Sequence, residues 1–137
     1  MSDKSLLLIK PNAIMHKHAG EIISMVESHA FLLRDIKILK FTPETAASFY
    51  QEHKGKEFYD RLIAFMCSGP TIALLLEKHD AVNSLRDLVG DTDPAKRKEH
   101  TIRYRFADGV TENAVHASDS IDHAKREIRL IFGYNPA

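Results

Sequence analysis

Two continuous apolar runs constrain the fold of this chain more than any other feature. The first extends from Ser5 to Ile9 and the second from Thr71 to Leu76. An unbroken apolar run of this length is typical of a strand that is covered on both faces, so each run predicts a buried strand. Pro11 ends the first strand, because proline cannot donate a ladder hydrogen bond and keeps the preceding residue extended.

Helical patterns alternate with these strands. The other predicted elements are a helix over 19–26, a strand over 34–41, helices over 58–66, 81–88 and 121–131, a helix that begins at 42, and a short strand that carries His116. Ile36 and Ile38 alternate with charged residues, which predicts a half-buried strand. Residues 91–113 are polar and have no clear period, which is typical of a long functional or disordered loop. This order predicts an α+β sandwich with helices on a mainly antiparallel sheet.

Composition sets the class of protein. A chain of 137 residues predicts a single domain, residues 1–137. The 19 basic and 19 acidic residues cancel, which argues against a general nucleic-acid-binding surface. Cys67 is the single cysteine, so no internal disulfide can form and a reducing compartment is favoured. No apolar run is long enough for a signal peptide or a membrane span. We therefore expect a cytoplasmic globular protein without a membrane partner.

His116 is the most informative single residue. A short apolar stretch precedes it, and residues 118–120 are of the types that cap a helix. In the helix that follows, Glu127 falls at the margin of the apolar stripe, where a carboxylate can reach inward. A histidine at a strand end with such a carboxylate is a candidate nucleophile with an orienting partner. Taken alone, a single histidine more often has a structural role.

Any phosphate site in this chain must be built from side chains. The glycine-rich motif G-x-x-x-x-G-K-[ST] is absent, as are the sequence motifs of protein kinases. Lys10, Arg86, Arg103 and Arg105 are candidates, since arginine's planar fork suits phosphate oxygens, although each could equally be a surface residue. An aromatic residue such as Phe58 could stack on a base or pack in the core. The histidines show no zinc-ligand spacing, so we expect no metal site built by the protein.

Six segments, taken together, closely resemble the nucleoside diphosphate kinase family. They are residues 9–13, 49–53, 65–70, 86–95, 101–103 and 113–120. The likeness extends from Ser5 to Phe132 without an evident insertion or deletion. Residues 52–56 and 111–113 look more like bacterial members than animal ones.

The resemblance implies a ferredoxin-like α+β sandwich, with a four-stranded antiparallel sheet covered by helices. It also implies ping-pong transfer of a γ-phosphoryl group from a nucleoside triphosphate to a nucleoside diphosphate. His116 would be the nucleophile, and Glu127 would hold its other ring nitrogen, with Ser118 as a hydrogen-bonding neighbour and Tyr50 packed nearby. The implied nucleotide-binding residues are Arg86, Thr92 and Arg103 for phosphates, Lys10 and Asn113 for ribose hydroxyls and nearby phosphate oxygens, and Phe58 and Val110 for the base.

The resemblance further implies Mg²⁺ bound with the nucleotide, which Asp119 would reach at most through water. It implies a homo-oligomer, a tetramer or a hexamer, and no specific nucleic-acid partner.

Some positions depart from the family pattern. Ala117 and Ala30 replace glycines, His100 stands where glycine usually precedes Thr-Ile-Arg, and Tyr104-Arg105 replaces a small residue and an aspartate. Two alternatives to the active enzyme remain, and the altered loop at Tyr104-Arg105 bears on the first of them. One is a catalytically impaired nucleotide-binding oligomeric module of the same fold, and the other is a protein-interaction or nucleic-acid-binding role.

Overall fold

Four strands form one antiparallel sheet in the computed structural model, which describes residues 2–133 of the chain. The strands are β1 (Ser2–Ile9), β2 (Leu32–Lys40), β3 (Pro70–His79) and β4 (Val115–Ala117). Their order across the sheet is β2-β3-β1-β4, and each neighbouring pair is antiparallel. The prediction of a four-stranded antiparallel sheet covered by helices is confirmed. The remaining residues of the predicted domain 1–137 lie outside the described range.

Helices connect and cover these strands. Within the described range they are α1 (Pro11–Met15), α2 (Ala19–Ser28), α3 (Pro43–Phe49), α4 (Tyr59–Met66), α5 (Ala81–Val89), α6 (Ile102–Phe106) and α7 (Ile121–Phe132). Two 3-10 turns cover Gln51–His53 and Pro94–Lys96. None of the described helices is long and apolar enough to cross a membrane.

The structure corrects the prediction of a loop over 91–113. This segment contains a 3-10 turn and helix α6, which begins after Thr101, whose hydroxyl accepts a hydrogen bond from the Tyr104 backbone at 3.2 Å. Helix α1 was also not predicted. Each of these helices has five residues, too few to show a period of 3.6.

Strand β1 is buried on both faces, as its apolar run predicts. Leu7 and Ile9 lie in a core cluster with residues of α2, α5 and α6, whereas Leu6 and Leu8 lie in a second cluster with residues of α3, α4 and α7. Burial of each such side chain contributes about 1.5–3 kcal/mol. The two clusters fix the middle of the sheet, and β4 lies at its edge beside β1.

The prediction that Ile36 and Ile38 are the covered residues of β2 is wrong. They are 49% and 69% exposed. A register shift between Leu33 and Asp35 places Ile36 opposite Leu74, on a stretch of the sheet edge that the described helices leave uncovered. Ile36 and Ile38 pair with Leu74 and Ile72 and so lie on the same face as Leu33, and they are exposed because the described helices do not reach this part of the edge strand.

Candidate active site

His116 lies in the short edge strand β4, opposite Leu8 of β1. Its neighbours Val115 and Ala117 pack on the core cluster that contains α2 and α5. Because successive side chains of a strand alternate between faces, His116 points to the opposite side, toward α3 and α7. Its side chain is 18% exposed, so the imidazole is mostly enclosed but keeps access to solvent.

Glu127 of α7 holds the imidazole in one orientation. His116 Nε2 lies 2.8 Å from Glu127 Oε1, and the Ser118 hydroxyl donates to the same oxygen at 2.7 Å. Because a carboxylate can only accept, Nε2 carries the proton and Nδ1 keeps its lone pair. Glu127 is fully buried rather than marginal, and these two donors offset the cost of burying its charge. The structure thus brings together three residues that the sequence analysis selected.

Two aromatic rings support the imidazole. The ring centroids of Phe49 and Tyr50 lie 5.1 and 5.8 Å from that of His116, both in edge-on arrangements. Burial raises the pKa of the Tyr50 phenol, and the charge of Glu127 adds to this, so its hydroxyl stays protonated as a donor. Tyr50 was predicted as a site residue but Phe49 was not, because in sequence Phe49 is indistinguishable from a core aromatic.

Arg103 ties three segments together near the histidine. Its guanidinium donates to the Gly90 carbonyl at 2.8 Å and to the Val115 carbonyl at 3.0 Å. Gly90 has a φ of 92°, and a Cβ there would lie 2.6 Å from Thr101, so the close approach requires glycine. Burial, together with the nearby charge of Arg97, lowers the pKa of Arg103 to about 10. It therefore remains a cation at neutral pH.

Lys10 follows β1 and is buried. Its backbone N–H donates to the Ala114 carbonyl at 2.8 Å, which joins it to the segment before His116. Burial and the neighbouring Arg103 charge lower the pKa of Lys10 to about 7, although Glu112 acts in the opposite direction. A lysine with this pKa gains a proton readily when an anion approaches.

A cavity of about 790 Å³ opens beside the imidazole. Its lining includes His116, Arg86, Thr92 and Arg103, four residues that the sequence analysis selected. Arg86 also donates to the Asp119 carbonyl at 3.3 Å, which holds the segment after the histidine. The cavity is large enough for the phosphate groups of a nucleotide.

Phe58 and Val110 do not line this cavity. Phe58 is 44% exposed and Val110 is 62% exposed, so the Phe58 ring and the Val110 methyl groups are open to a ligand from solvent. Asn113 is buried nearby and donates to the Val110 carbonyl at 2.8 Å. The structure therefore separates the selected residues into a group around His116 and an exposed pair, Phe58 and Val110.

Several buried polar atoms have no partner among the described residues. Three belong to selected residues: Tyr50 Oη, Arg103 Nε and Asn113 Oδ1. An unpaired buried polar group costs roughly 1–3 kcal/mol. Of these three residues, Arg103 lines the cavity and Tyr50 and Asn113 do not, so a polar ligand or water in the cavity would relieve the cost at Arg103 Nε.

Glu52 and His123 were not predicted from the sequence as site residues. His123 Nε2 lies 3.0 Å from Glu52 Oε2, and His123 Nδ1 contacts the Asp119 carboxylate. This contact raises the pKa of His123. Burial acts to raise the pKa of Asp119, but the His123 hydrogen bond and charge lower it on balance. The spacing of Asp119, His123 and Glu127, four residues apart, was the sequence signal that could have identified this group.

An imidazole held by a buried carboxylate, beside a cavity lined by arginines, can accept and release a phosphoryl group. The fold and the site thus define a nucleotide-dependent phosphotransferase with a histidine at its centre.

Comparisons with known proteins identify the family. Residues 3–136 match the family model described as "Nucleoside diphosphate kinase". A protein of that name from Methanocaldococcus jannaschii is 42% identical over 132 residues, which cover 96% of this chain and 94% of the relative. The chain belongs to the nucleoside diphosphate kinase family, and its activity is transfer of a phosphoryl group between nucleotides.

Solved structures of this family have the same fold. The Aquifex aeolicus nucleoside diphosphate kinase superposes with a TM-score of 0.93 at 36% identity, over 96% of each chain. A halophilic nucleoside diphosphate kinase from Halobacterium salinarum, solved in complex with CDP, also has a TM-score of 0.93, at 30% identity, over 98% of this chain and 90% of that one. The closer likeness to bacterial members stays a prediction.

Proposed function

We propose that His116 carries the γ-phosphoryl group between nucleotides in a ping-pong cycle. The Nδ1 lone pair attacks the γ-phosphorus of a nucleoside triphosphate, the bond to the β–γ bridging oxygen breaks, and the diphosphate leaves. A second diphosphate then attacks the phosphohistidine, and the lone pair returns to Nδ1. The observation that carries this proposal is the 2.8 Å contact between His116 Nε2 and Glu127, which leaves Nδ1 as the available nitrogen.

Cationic side chains would stabilise the transferring group. Charge spreads over the phosphoryl oxygens in the transition state, so catalysis depends on positioning and positive charge rather than on a strong base. Arg86 and Arg103 line the cavity beside His116 and are proposed to bind the phosphates, with Thr92 as a further polar contact. Lys10 is proposed to contact a phosphate oxygen and the ribose.

The exposed residues would bind the nucleotide without distinguishing one base from another. We propose that Phe58 and Val110 hold the base between them and that Asn113 contacts the ribose. Asn113 Oδ1 is buried and has no partner among the described residues, which supports a role as an acceptor for a ribose hydroxyl. Stacking accepts every base, whereas hydrogen bonds to a base edge would discriminate between bases.

Mg²⁺ is proposed to enter with the nucleotide. Mg²⁺ prefers oxygen ligands and retains several waters, so its other ligands would be phosphate oxygens of the nucleotide. Asp119 fits a contact through water, because its carboxylate is half-exposed at the cavity and its lowered pKa keeps it ionised. When bound, the ion supplies charge neutralisation to the phosphates.

Three broader statements belong to the same proposal. The chain functions as one domain, residues 1–137, in the cytoplasm, which agrees with a single free cysteine. It assembles as a tetramer or a hexamer. It has no membrane partner and no specific nucleic-acid partner, in line with a formal net charge of zero.

Identification of the phosphorylated nitrogen tests the proposed geometry. Protein labelled by a nucleoside triphosphate is digested in alkali, and the two phosphohistidine isomers are separated. We expect phosphate on Nδ1. The Glu127→Ala variant should transfer roughly 10- to 100-fold more slowly and lose isomer selectivity, because an orienting carboxylate is removed. Glu127→Gln, which can still accept from Nε2, should keep Nδ1 selectivity. Label on Nε2 of the unaltered protein would overturn the proposal.

A further inference from the structure

A second group of ligand-type side chains lies beside the nucleophile. Glu52 follows α3, and His123 and Glu127 are one turn apart on α7. One ligand atom from each of these three residues lies within 4.8 Å of the others. We call these residues the entrance cluster, since the side chains of Glu52 and His123 are 32% and 38% exposed, whereas Glu127 is buried behind them.

Asp119 orients the imidazole of this cluster. Its carboxylate contacts His123 Nδ1, so that nitrogen carries the proton and Nε2 faces Glu52 Oε2 at 3.0 Å. A histidine that ligates a metal almost always donates its other ring N–H to a carboxylate or carbonyl, which fixes the tautomer. Two acceptor atoms this close need a cation or a proton between them. Asp119 thus prepares Nε2 for a cation.

The donor types indicate which cation would bind. One imidazole with carboxylates suits borderline ions such as Zn²⁺ and Co²⁺, whereas Mg²⁺ prefers an octahedron of oxygens. Two ligands at the usual Zn²⁺ distances in a tetrahedron lie roughly 3.3 Å apart. The 3.0 Å separation between His123 Nε2 and Glu52 Oε2 is close to that value. The Glu127 ligand atom is buried and lies within 4.8 Å of these two atoms, so binding of an ion requires Glu52 and His123 to move toward it.

We propose that Glu52, His123 and Glu127 form a site for one borderline divalent cation, of the Zn²⁺ or Co²⁺ type, separate from the Mg²⁺ that accompanies the nucleotide. Occupation would inhibit transfer, because Glu127 would be shared between the cation and His116 Nε2. The cation would then loosen the imidazole that the buried carboxylate holds.

Co²⁺ absorption spectroscopy and Zn²⁺ calorimetry test this site on the full untagged chain without nucleotide. We expect one Co²⁺ per chain with visible bands of low-coordinate Co²⁺. His123→Ser and Glu52→Gln should each weaken binding by roughly 10- to 100-fold. His100→Asn is the matched control, because His100 lines the cavity that Glu52 also lines but is not part of the cluster, and this variant should bind Co²⁺ unchanged. Zn²⁺ should inhibit phosphoryl transfer by the unaltered protein more strongly than by His123→Ser.

Several results would overturn the site. Two of them are unchanged Co²⁺ binding by His123→Ser and loss of Co²⁺ binding in His100→Asn. The third is absence of Co²⁺ binding by the unaltered protein, which would mean that His123 is an imidazolium paired with a carboxylate. Thermal melting shows whether each variant is folded. If His123→Ser is unfolded, Glu52→Gln provides a second test, because glutamine has the same shape as glutamate. Because binding is measured without nucleotide, its failure leaves the proposed phosphoryl transfer untouched.

Discussion

At the scale of single residues, the proposed contact between Lys10 and a phosphate makes the affinity for nucleotide depend on the charge state of Lys10. Its pKa of about 7 makes the side chain largely neutral above that pH in the free protein, whereas a bound phosphate favours the ammonium form. Above the pKa that Lys10 has in the free protein, nucleotide binding is therefore accompanied by uptake of a proton by Lys10. We expect the affinity for a nucleoside diphosphate to fall as the pH rises, by up to tenfold per unit.

Calorimetric titrations with a diphosphate between about pH 7.5 and 9, where the phosphate is already ionised, measure this dependence. Lys10→Met should bind more weakly at neutral pH and show a flatter pH dependence. Lys125→Met, at an exposed position of α7, should retain the slope. A slope that persists in Lys10→Met would assign the proton to another group.

At the scale of elements, the connection between α2 and β2 contains a strained residue. Ala30 is exposed and has a φ of 68°, a left-handed conformation in which a Cβ costs roughly 1–2 kcal/mol. Ala30→Gly removes this strain, but the more flexible glycine also gives the unfolded chain a larger entropy, which opposes folding. We expect a net stabilisation of about 0.5–1 kcal/mol.

Urea denaturation at a fixed protein concentration checks this prediction. Ala107→Gly is the control, because Ala107 has a φ of −75° that gives no steric gain, and it should destabilise the protein. If both changes shifted the midpoint in the same direction, the strain would not be the cause.

The elements also show what sequence patterns can reveal. Central strands and longer helices were predictable because their apolar residues recur over enough turns or pairs to show a period. Helix α6 was not predictable, because it is too short to show a period. The hydrogen bonds from Arg103 to Gly90 and Val115 were not predictable either, because they join distant segments. The bulge at Leu33 and Asp35 left no signal in the alternation of β2. For the same reason, the contact between Glu52 and His123 emerged only from the folded chain.

At the scale of the whole molecule, the cavity with arginines beside His116 is separate from the exposed pair Phe58 and Val110, which we propose to hold the base. Phe58 and Val110 offer faces rather than hydrogen bonds, so we expect broad specificity across purines and pyrimidines. Measurement of kcat/KM for a set of nucleoside diphosphates with one common donor tests this expectation. A spread of more than about a hundredfold, equivalent to ~2.7 kcal/mol, would contradict it.

The central claim is that a phosphoryl group rests on His116 between two nucleotides. Its most direct test is incubation of the purified protein with γ-labelled ATP and Mg²⁺ in the absence of an acceptor, with His116→Ala in parallel. We predict acid-labile label on the protein that leaves on addition of a nucleoside diphosphate and is absent from the variant. Label that His116→Ala also carries, or no label on a protein that binds ATP, would contradict the account.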